Sequence, residues 1–305
     1  MAIIQSYDVA IVGGGPAGLT AALWLARYLH TVVLIDSGDP RNWQTRGING
    51  FLGSPDIKPV ELRGKAREDL RKYGVALIDA CVGSIESSDE SFTLTVQNGD
   101  SYSASRLLLA IGLRDVWPDI EGLDHIYGDT AHVCPDCDGY EARNCKTVVI
   151  GLGRRAVGMA LNLTTWTRQL VICSNGPDAS MTQELAEKLD ALNIPMIDAK
   201  IKRLITKGGS AYALEFEGGM ELDCERIFFS IGQYPADSLG VHLGCERDEC
   251  GQIVIDEAHH TSVANVFAAG DIAPGPQVAI RAAAGGAVAA MSIHKSLVPP
   301  ERKLG

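Results

Sequence analysis

The sequence lacks the long apolar runs and basic clusters that mark several classes of protein. No stretch of about 18 uncharged apolar residues is present, so no membrane-spanning helix is predicted. Acidic residues outnumber basic residues by 38 to 27, and no block of about five basic residues offers a site for a phosphate backbone. With a net charge of −11, the chain is not expected to have a nucleic-acid partner.

A secretory signal and a disulfide framework are also missing. The first residues lead almost directly into an apolar strand, without the charged region, apolar stretch and cleavage site of a signal peptide. The 8 cysteines in 305 residues are too few for a disulfide-stapled fold. Only Cys134 and Cys137 have C-x-x-C spacing. We therefore expect a cytoplasmic protein in which this one pair carries redox or metal chemistry.

Apolar residues and glycines are abundant. The chain is 46% hydrophobic, contains 33 glycines and, at 305 residues, is longer than an ordinary domain of about 150 residues. This composition predicts a sizeable core with many tight turns. We expect an α/β enzyme of two domains.

A dinucleotide-binding pattern opens the chain. An apolar strand at residues 7–12 leads into the glycine loop at residues 13–18, a helix follows, and a second strand at residues 31–35 ends at Asp36. In such a loop Gly13 makes the tight turn, Gly15 lets backbone N–H groups approach a pyrophosphate, and Gly18 allows close packing of helix and strand. Asp36 is placed to accept hydrogen bonds from an adenosine ribose.

The pattern occurs a second time at residues 147–173, with a G-x-G-x-x-A loop at residues 151–156. The position equivalent to Asp36 is Ser174, which is neither an acid for a ribose nor a base for its phosphate, and no Lys or Arg occurs between Arg168 and Lys188. Arg154 and Arg155 lie inside the loop instead. Three interpretations stay open: they obstruct a pyrophosphate, they bind it, or they face solvent.

The C-x-x-C pair admits two interpretations. Redox chemistry fits because one thiolate can attack or leave while the second closes the bridge. Half a zinc site also fits the spacing, with Cys245 and Cys250 as the other half. No histidine has a helix-spaced partner, so we assign the histidines no role and predict no metal site.

Taken in order, these motifs resemble the low-molecular-weight thioredoxin reductases, which are flavoprotein disulfide reductases. The resemblance rests on GGGPAG with Asp36, the cysteine pair followed by Asp138-Gly139, the second glycine loop, and a terminal AAGD with QVAIRAAAGG. It implies an α/β fold of two Rossmann-like FAD/NAD(P)-binding domains, the second inserted into the first. The FAD-binding domain would comprise residues 1–115 and 240–305. An NAD(P)-binding-like domain carrying the redox pair would comprise residues 116–239, and the protein would form a homodimer.

The resemblance also implies residue roles. Cys137 would face the flavin, Cys134 would exchange with the substrate disulfide, and Asp138 would donate and accept protons. FAD would be held mainly by glycine loops and strand ends. The residues implied are Gly13, Gly15, Pro16, Ala17, Asp36, Asn49, Val82, Gly112, Gly270, Asp271, Gln277, Val278 and Ala279.

Two features depart from the family. Pro135 and Asp136 stand between the cysteines where small or hydroxyl side chains are usual, and the arginines that read the NADPH phosphate are missing. We therefore expect electrons to pass from the flavin through the pair to a protein disulfide such as thioredoxin, with a donor other than NADPH, for example ferredoxin. The alternatives are an NADPH-dependent thioredoxin reductase, a small-molecule dithiol oxidase that uses oxygen, and a flavin-binding redox sensor that is not an enzyme.

Overall fold

The computed structural model describes residues 4–42 and 44–303. In chain order its strands are β1 (Gln5–Val12), β2 (Val32–Asp36), β3 (Ala76–Asp79), β4 (Val82–Ser87), β5 (Phe92–Val96), β6 (Ser101–Leu109), β7 (Leu113–Val116), β8 (Ala131–His132), β9 (Thr147–Gly151), β10 (Leu170–Cys173), β11 (Met196–Ile197), β12 (Ile201–Lys207), β13 (Ser210–Phe216), β14 (Glu221–Asp223), β15 (Arg226–Ser230), β16 (Gly232–Pro235) and β17 (Val266–Ala268). The helices are α1 (Pro16–Arg27), α2 (Pro59–Lys72), α3 (Pro135–Asp138), α4 (Gly153–Leu163), α5 (Gln183–Ala191), α6 (Leu239–His242) and α7 (Ala279–Leu297).

These elements cluster into two compact units. The first unit contains residues 50–114 and the described residues within 1–43 and 234–305. The second unit contains residues 115–233 and a short segment, Gln44–Asn49. In the sequence this segment lies between two parts of the first unit.

The first unit is built on a seven-stranded sheet with the order β3-β2-β1-β6-β5-β4, in which β17 also pairs with β6. Strands β3, β2, β1, β6 and β17 run parallel to one another, whereas β5 pairs antiparallel with β6 and β4 antiparallel with β5. Parallel strands need crossover connections, and helices such as α1 and α2 supply them. This arrangement brings the carboxyl ends of the central strands to one edge.

The central strand β1 is buried on both of its faces. Val9 and Ile11 belong to one apolar cluster together with Leu25 of α1 and Ile293 of α7. Val12 belongs to a second cluster that includes residues of β5 and β6. Successive side chains of a strand point to opposite faces, so a strand covered on both sides is apolar throughout.

The second unit contains a five-stranded sheet with the order β11-β10-β9-β15-β8, in which neighbouring strands are parallel. Helix α4 follows β9 through the second glycine loop, and the cysteine segment follows β8. A separate antiparallel sheet is formed by β12, β13 and β14. Across residues 4–42 and 44–303, no helix combines the length and apolar character that a bilayer crossing requires.

Candidate functional site

Five of the residues predicted to bind FAD lie along one edge of the first unit's sheet. Val12 is paired with Ile35 and with Leu109, and Leu109 is paired with Ala268, so the four strands end at the same level. Ligands of open α/β sheets bind at the carboxyl ends of the strands. The predicted residues at or just after these ends are Gly13, Asp36, Gly112, Gly270 and Asp271.

The first glycine loop leaves room for a ligand where a side chain would otherwise stand. Gly13 has a φ of +107°, and a Cβ there would lie 2.7 Å from the carbonyl carbon of Ala110. A Cβ on Gly18 would collide with the Gly13 carbonyl oxygen, whereas a Cβ on Gly15 would meet nothing within 4 Å. The turn and the helix packing therefore require glycine at two positions, and the third glycine keeps the front of the loop open.

The start of α1 is available to an anion. Pro16 is the first helical residue, Gly15 before it provides no side-chain cap, and the first turn contains no acidic residue. The unpaired N–H groups of a helix start, together with the helix dipole, favour a phosphate at this position. A Cβ on Gly270 would lie 3.0 Å from the Cβ of Ala17, so the turn after β17 packs against the start of α1. These residues fit the diphosphate of FAD.

Asp36 is a buried carboxylate held by backbone and by two arginines. Its Oδ1 accepts hydrogen bonds from Gly14 N at 3.1 Å and Gly38 N at 3.3 Å. Arg63 pairs with its Oδ2, and Arg67 Nη1 lies 3.6 Å from the same oxygen. Sequence reasoning missed both arginines. Their spacing, which puts them on one face of α2, was the available signal.

The other predicted FAD residues of the first unit are held by neighbours of the same unit. Arg41 Nη1 donates to Gln277 Oε1 at 2.6 Å and lies 3.4 Å from Asp271 Oδ2. Val278 immediately precedes α7 and Ala279 begins it, again without a side-chain cap. Val82 begins β4, two residues after Ala80, whose N–H donates to the Asp36 carbonyl.

The cysteine pair lies in the second unit, shortly after β8. Cys134 and Cys137 form a disulfide with their Cα atoms 5.3 Å apart. Pro135 begins the short helix α3, and the backbone N–H of Cys137 lies 3.1 Å from the Cys134 sulfur. Both cysteines are only partly buried. The bridge can therefore be approached by a thiol reagent or a substrate.

Asp138 is held between two polar side chains beside this bridge. Asn49 Nδ2 donates to Asp138 Oδ1 at 3.3 Å and to the carbonyl of Cys137 at 3.1 Å. On the other side, His132 Nδ1 lies 3.5 Å from Asp138 Oδ2. Asn49 belongs to the segment that clusters with the second unit, a contact with the cysteine segment that the sequence did not predict. Its role toward FAD stays a prediction.

In the second glycine loop, a carboxylate of the same unit binds the start of α4. Asp178 Oδ2 accepts the backbone N–H of Gly153, the first residue of α4, at 2.7 Å, and Ser180 Oγ donates to Asp178 Oδ1 at 2.5 Å. Burial acts to raise the pKa of Asp178, but hydrogen bonds from Ser180 and from backbone N–H groups outweigh it, so the pKa is lowered and the group is a carboxylate. A Cβ on Gly153 would lie 3.0 Å from the Cβ of Ser180. Arg154 and Arg155 are exposed.

These contacts bear on whether a pyridine nucleotide fits the second unit. Its pyrophosphate needs the N–H groups at the start of α4, where a negative charge is already bound. The residues present therefore do not fit the group. The zinc alternative has no built site either: in the part of the chain that the structure describes, no three His, Cys, Asp or Glu side chains cluster in a way that could hold a metal.

Comparisons with known proteins agree with this geometry. The family model described as pyridine nucleotide-disulphide oxidoreductase matches residues 7–286. Thioredoxin reductase tcpT of Claviceps purpurea is 31% identical over 283 residues, which cover 89% of this chain and 88% of that protein. The F component of alkyl hydroperoxide reductase from Staphylococcus aureus is 29% identical over 88% of this chain and 54% of its own length, so the chain spans about half of that relative.

Solved structures give the same result. The crystal structure of the putative thioredoxin reductase TrxB from Bacillus anthracis superposes with a TM-score of 0.90 and 30% sequence identity. The superposition covers 97% of this chain and 100% of that chain.

Proposed function

Because this chain belongs to the pyridine nucleotide-disulphide oxidoreductase family and is a thioredoxin reductase-like flavin enzyme, we propose that it moves electrons between FAD and the Cys134–Cys137 pair and on to a protein disulfide such as thioredoxin. The donor in this proposal is not NADPH, and reduced ferredoxin is the example we favour. A homodimer and a cytoplasmic location belong to the same proposal and rest on the sequence and the resemblance.

The first unit would hold the flavin. In this proposal the FAD-binding domain comprises residues 1–115 and 240–305, which include most of the first unit, and the NAD(P)-binding-like domain comprises residues 116–239. When bound, FAD supplies a carrier that exchanges two electrons with a disulfide. The start of α1 would bind its diphosphate, and Asp36 its ribose. Asp271 and Gln277, which Arg41 holds in place, would meet the rest of the cofactor.

The cysteine pair would transmit the electrons by breaking and forming one S–S bond. Reduction of the bridge takes up two electrons and two protons and leaves two thiols. Cys134 would then attack a substrate disulfide, and Cys137 would attack Cys134 to release the reduced substrate. Asp138, held by Asn49, would take and return a proton as these sulfurs change between thiol and thiolate.

The choice of donor rests mainly on one observation, the Asp178 carboxylate at the start of α4. A dinucleotide would have to displace this carboxylate from Gly153 N and overcome its negative charge. No Lys or Arg between residues 168 and 188 is present to hold a 2′-phosphate in compensation. Both features disfavour NADPH and leave the flavin and cysteine chemistry untouched.

The test is anaerobic reduction of the flavin by NADPH, NADH, reduced ferredoxin and dithiols in separate experiments. We expect little bleaching by either pyridine nucleotide and rapid bleaching by ferredoxin or a dithiol. Rapid bleaching by stoichiometric NADPH would overturn the proposed donor. Asp178→Ala should gain affinity for ADP-ribose in titration calorimetry, whereas Asp190→Ala, which removes an exposed carboxylate of the same unit, should not. Equal ADP-ribose affinity of wild type and Asp178→Ala would remove the support for this interpretation.

A small-molecule dithiol oxidase is the second candidate, and the same observation favours it. An enzyme whose donor is the substrate dithiol needs no pyridine nucleotide, and oxygen would then take the electrons from the flavin. Production of peroxide with a small dithiol, and none with reduced thioredoxin, would select this function. Turnover of oxidised thioredoxin with ferredoxin would reject it.

A further inference from the structure

His132 is a buried histidine whose surroundings are unusual for a core residue. It ends β8, two residues before Cys134, and its side chain is only 5% exposed. Its Nε2 is buried without a hydrogen-bond partner among residues 4–42 and 44–303, and its ring lies 5.3 Å from that of Phe228. Its Nδ1 faces the Asp138 carboxylate. Buried polar atoms without partners are rare enough to require an explanation.

The contacts decide which ring nitrogen carries the proton in the neutral form. A proton on Nε2 would leave a buried N–H with no acceptor, which is among the costliest defects in a core. A proton on Nδ1 directs the N–H toward Asp138 Oδ2 at 3.5 Å and leaves only a lone pair at Nε2. The Asp138 carboxylate beside Nδ1 therefore sets the tautomer.

Asp138 is therefore held at both oxygens. Asn49 donates to Oδ1 and His132 faces Oδ2, and the two side chains come from different segments of the chain. A carboxylate held in this way has little freedom to rotate away from the neighbouring cysteine. We propose that His132 is a positioning residue that orients Asp138 for proton transfer at Cys137. This inference rests on the proposed disulfide chemistry.

Asp138 would serve the step in which a dithiol reduces the bridge. The Asp138 carboxylate takes the proton of the first substrate thiol, whose sulfur attacks the Cys134 sulfur. The S–S bond breaks, and Cys137 leaves as a thiolate that takes this proton from Asp138. The second substrate thiol loses its proton to solvent and attacks the mixed disulfide, and Cys134 leaves as a thiolate that takes a proton from solvent. Two electrons and, in total, two protons pass from the dithiol to the pair.

The experiment measures this step without a physiological donor. Oxidised holoenzyme is mixed anaerobically with saturating dithiothreitol, samples are quenched and alkylated, and peptide mass spectrometry counts Cys134 and Cys137 as free thiols over time. Flavin absorbance is followed in parallel. His132→Asn keeps an amide donor near the Nδ1 position, and His132→Gln moves the same amide to the Nε2 position. These two variants differ from each other by one methylene group and carry the same amide.

We expect His132→Gln to reduce the pair roughly tenfold more slowly than wild type, and His132→Asn to stay within about threefold of it. Asp138→Asn should lose about 10²-fold or more. His132→Gln combined with Asp138→Asn should be no slower than Asp138→Asn alone, because a residue that acts only through Asp138 has nothing left to orient.

Three results would overturn the inference: wild-type rates in His132→Gln, equal losses in both amide variants, or losses that multiply in the double variant. Should His132→Gln fail to fold, His132→Leu takes its place, since it also lacks a donor. Failure of the proposed function has a different signature. In that case the wild-type pair is reduced while the flavin stays oxidised.

Discussion

Helix α7 approaches the start of α1 so closely that one methyl group should disturb the flavin site. Gly286 lies buried within α7, and a Cβ at this position would lie 2.8 Å from the carbonyl carbon of Ala17 and 2.9 Å from its Cα. These atoms are backbone and cannot rotate away. Gly286→Ala must therefore move α7 or the beginning of α1, whose N–H groups are proposed to bind the FAD diphosphate.

The size of the effect follows from two opposing contributions. Replacing a helical glycine by alanine stabilises a helix by about 0.5–1 kcal/mol, whereas overpacking a core costs about 1–3 kcal/mol. The clash is with backbone, so we expect a net loss of about 1–2 kcal/mol. For a domain of this size that lowers the thermal midpoint by roughly 2–8 °C. We expect FAD binding to weaken about tenfold, which corresponds to a free energy smaller than that of one charge-assisted hydrogen bond to the diphosphate.

The matched control is Gly64→Ala in the interior of α2, in the same unit, where a Cβ would meet nothing within 4 Å. This variant should gain about 0.5–1 kcal/mol and keep its flavin. The comparison uses thermal midpoints and the FAD content of purified protein, from the ratio of absorbance at the flavin band to absorbance of the polypeptide. A Gly286→Ala protein that melts at or above wild type with full FAD content would contradict this expectation.

Three further outcomes are expected. Burial lowers the pKa of His30 from its ordinary value of 6.5. The stability that the neutral His30 contributes is therefore present above about pH 6.5 and is lost on acidification. Between pH 7.5 and 5, the thermal midpoint of His30→Asn should fall less than that of wild type. Burial raises the pKa values of Cys173 and Cys224 to about 12, which leaves about one thiolate in 10⁴ at pH 8. In native protein, iodoacetamide should therefore label the exposed Cys250 and spare Cys173 and Cys224. Labelling of all three cysteines at equal rates would argue against the buried placement. Arg63→Ala leaves the buried carboxylate at the end of β2 with a weaker partner and should cost about 1–3 kcal/mol in a denaturant titration; a change under about 0.5 kcal/mol would show that the ion pair is not needed.

Local patterns in the sequence predicted what is local in the structure. The thioredoxin reductase resemblance and the α/β fold with two Rossmann-like domains are confirmed by the family match and by the superposed structures. Gly13 and Asp36 are at strand ends because apolar runs and glycines fix where β1 and β2 stop. The C-x-x-C spacing likewise predicted a pair that can form a bridge, and the structure contains it.

Contacts that depend on the return of a distant segment could not be predicted. Asp178 reaches Gly153 only because the chain after β10 folds back over the start of α4, and nothing in the sequence around Asp178 indicates this. The sequence showed that a basic cluster was missing but not that a carboxylate lies at the start of α4. His132 was given no role, because its meeting with Asp138 depends on where β8 ends beneath the cysteine turn.

The second unit supplies the negative charge at the start of α4 from its own side chain, Asp178. A domain that depends on a bound nucleotide gains stability as the concentration of that nucleotide rises above its dissociation constant, and it loosens when the nucleotide is scarce. Here Asp178 is tethered to the helix start and is present at constant effective concentration. We expect this unit to keep the same resistance to heat and proteolysis in a starved cell as in a fed one.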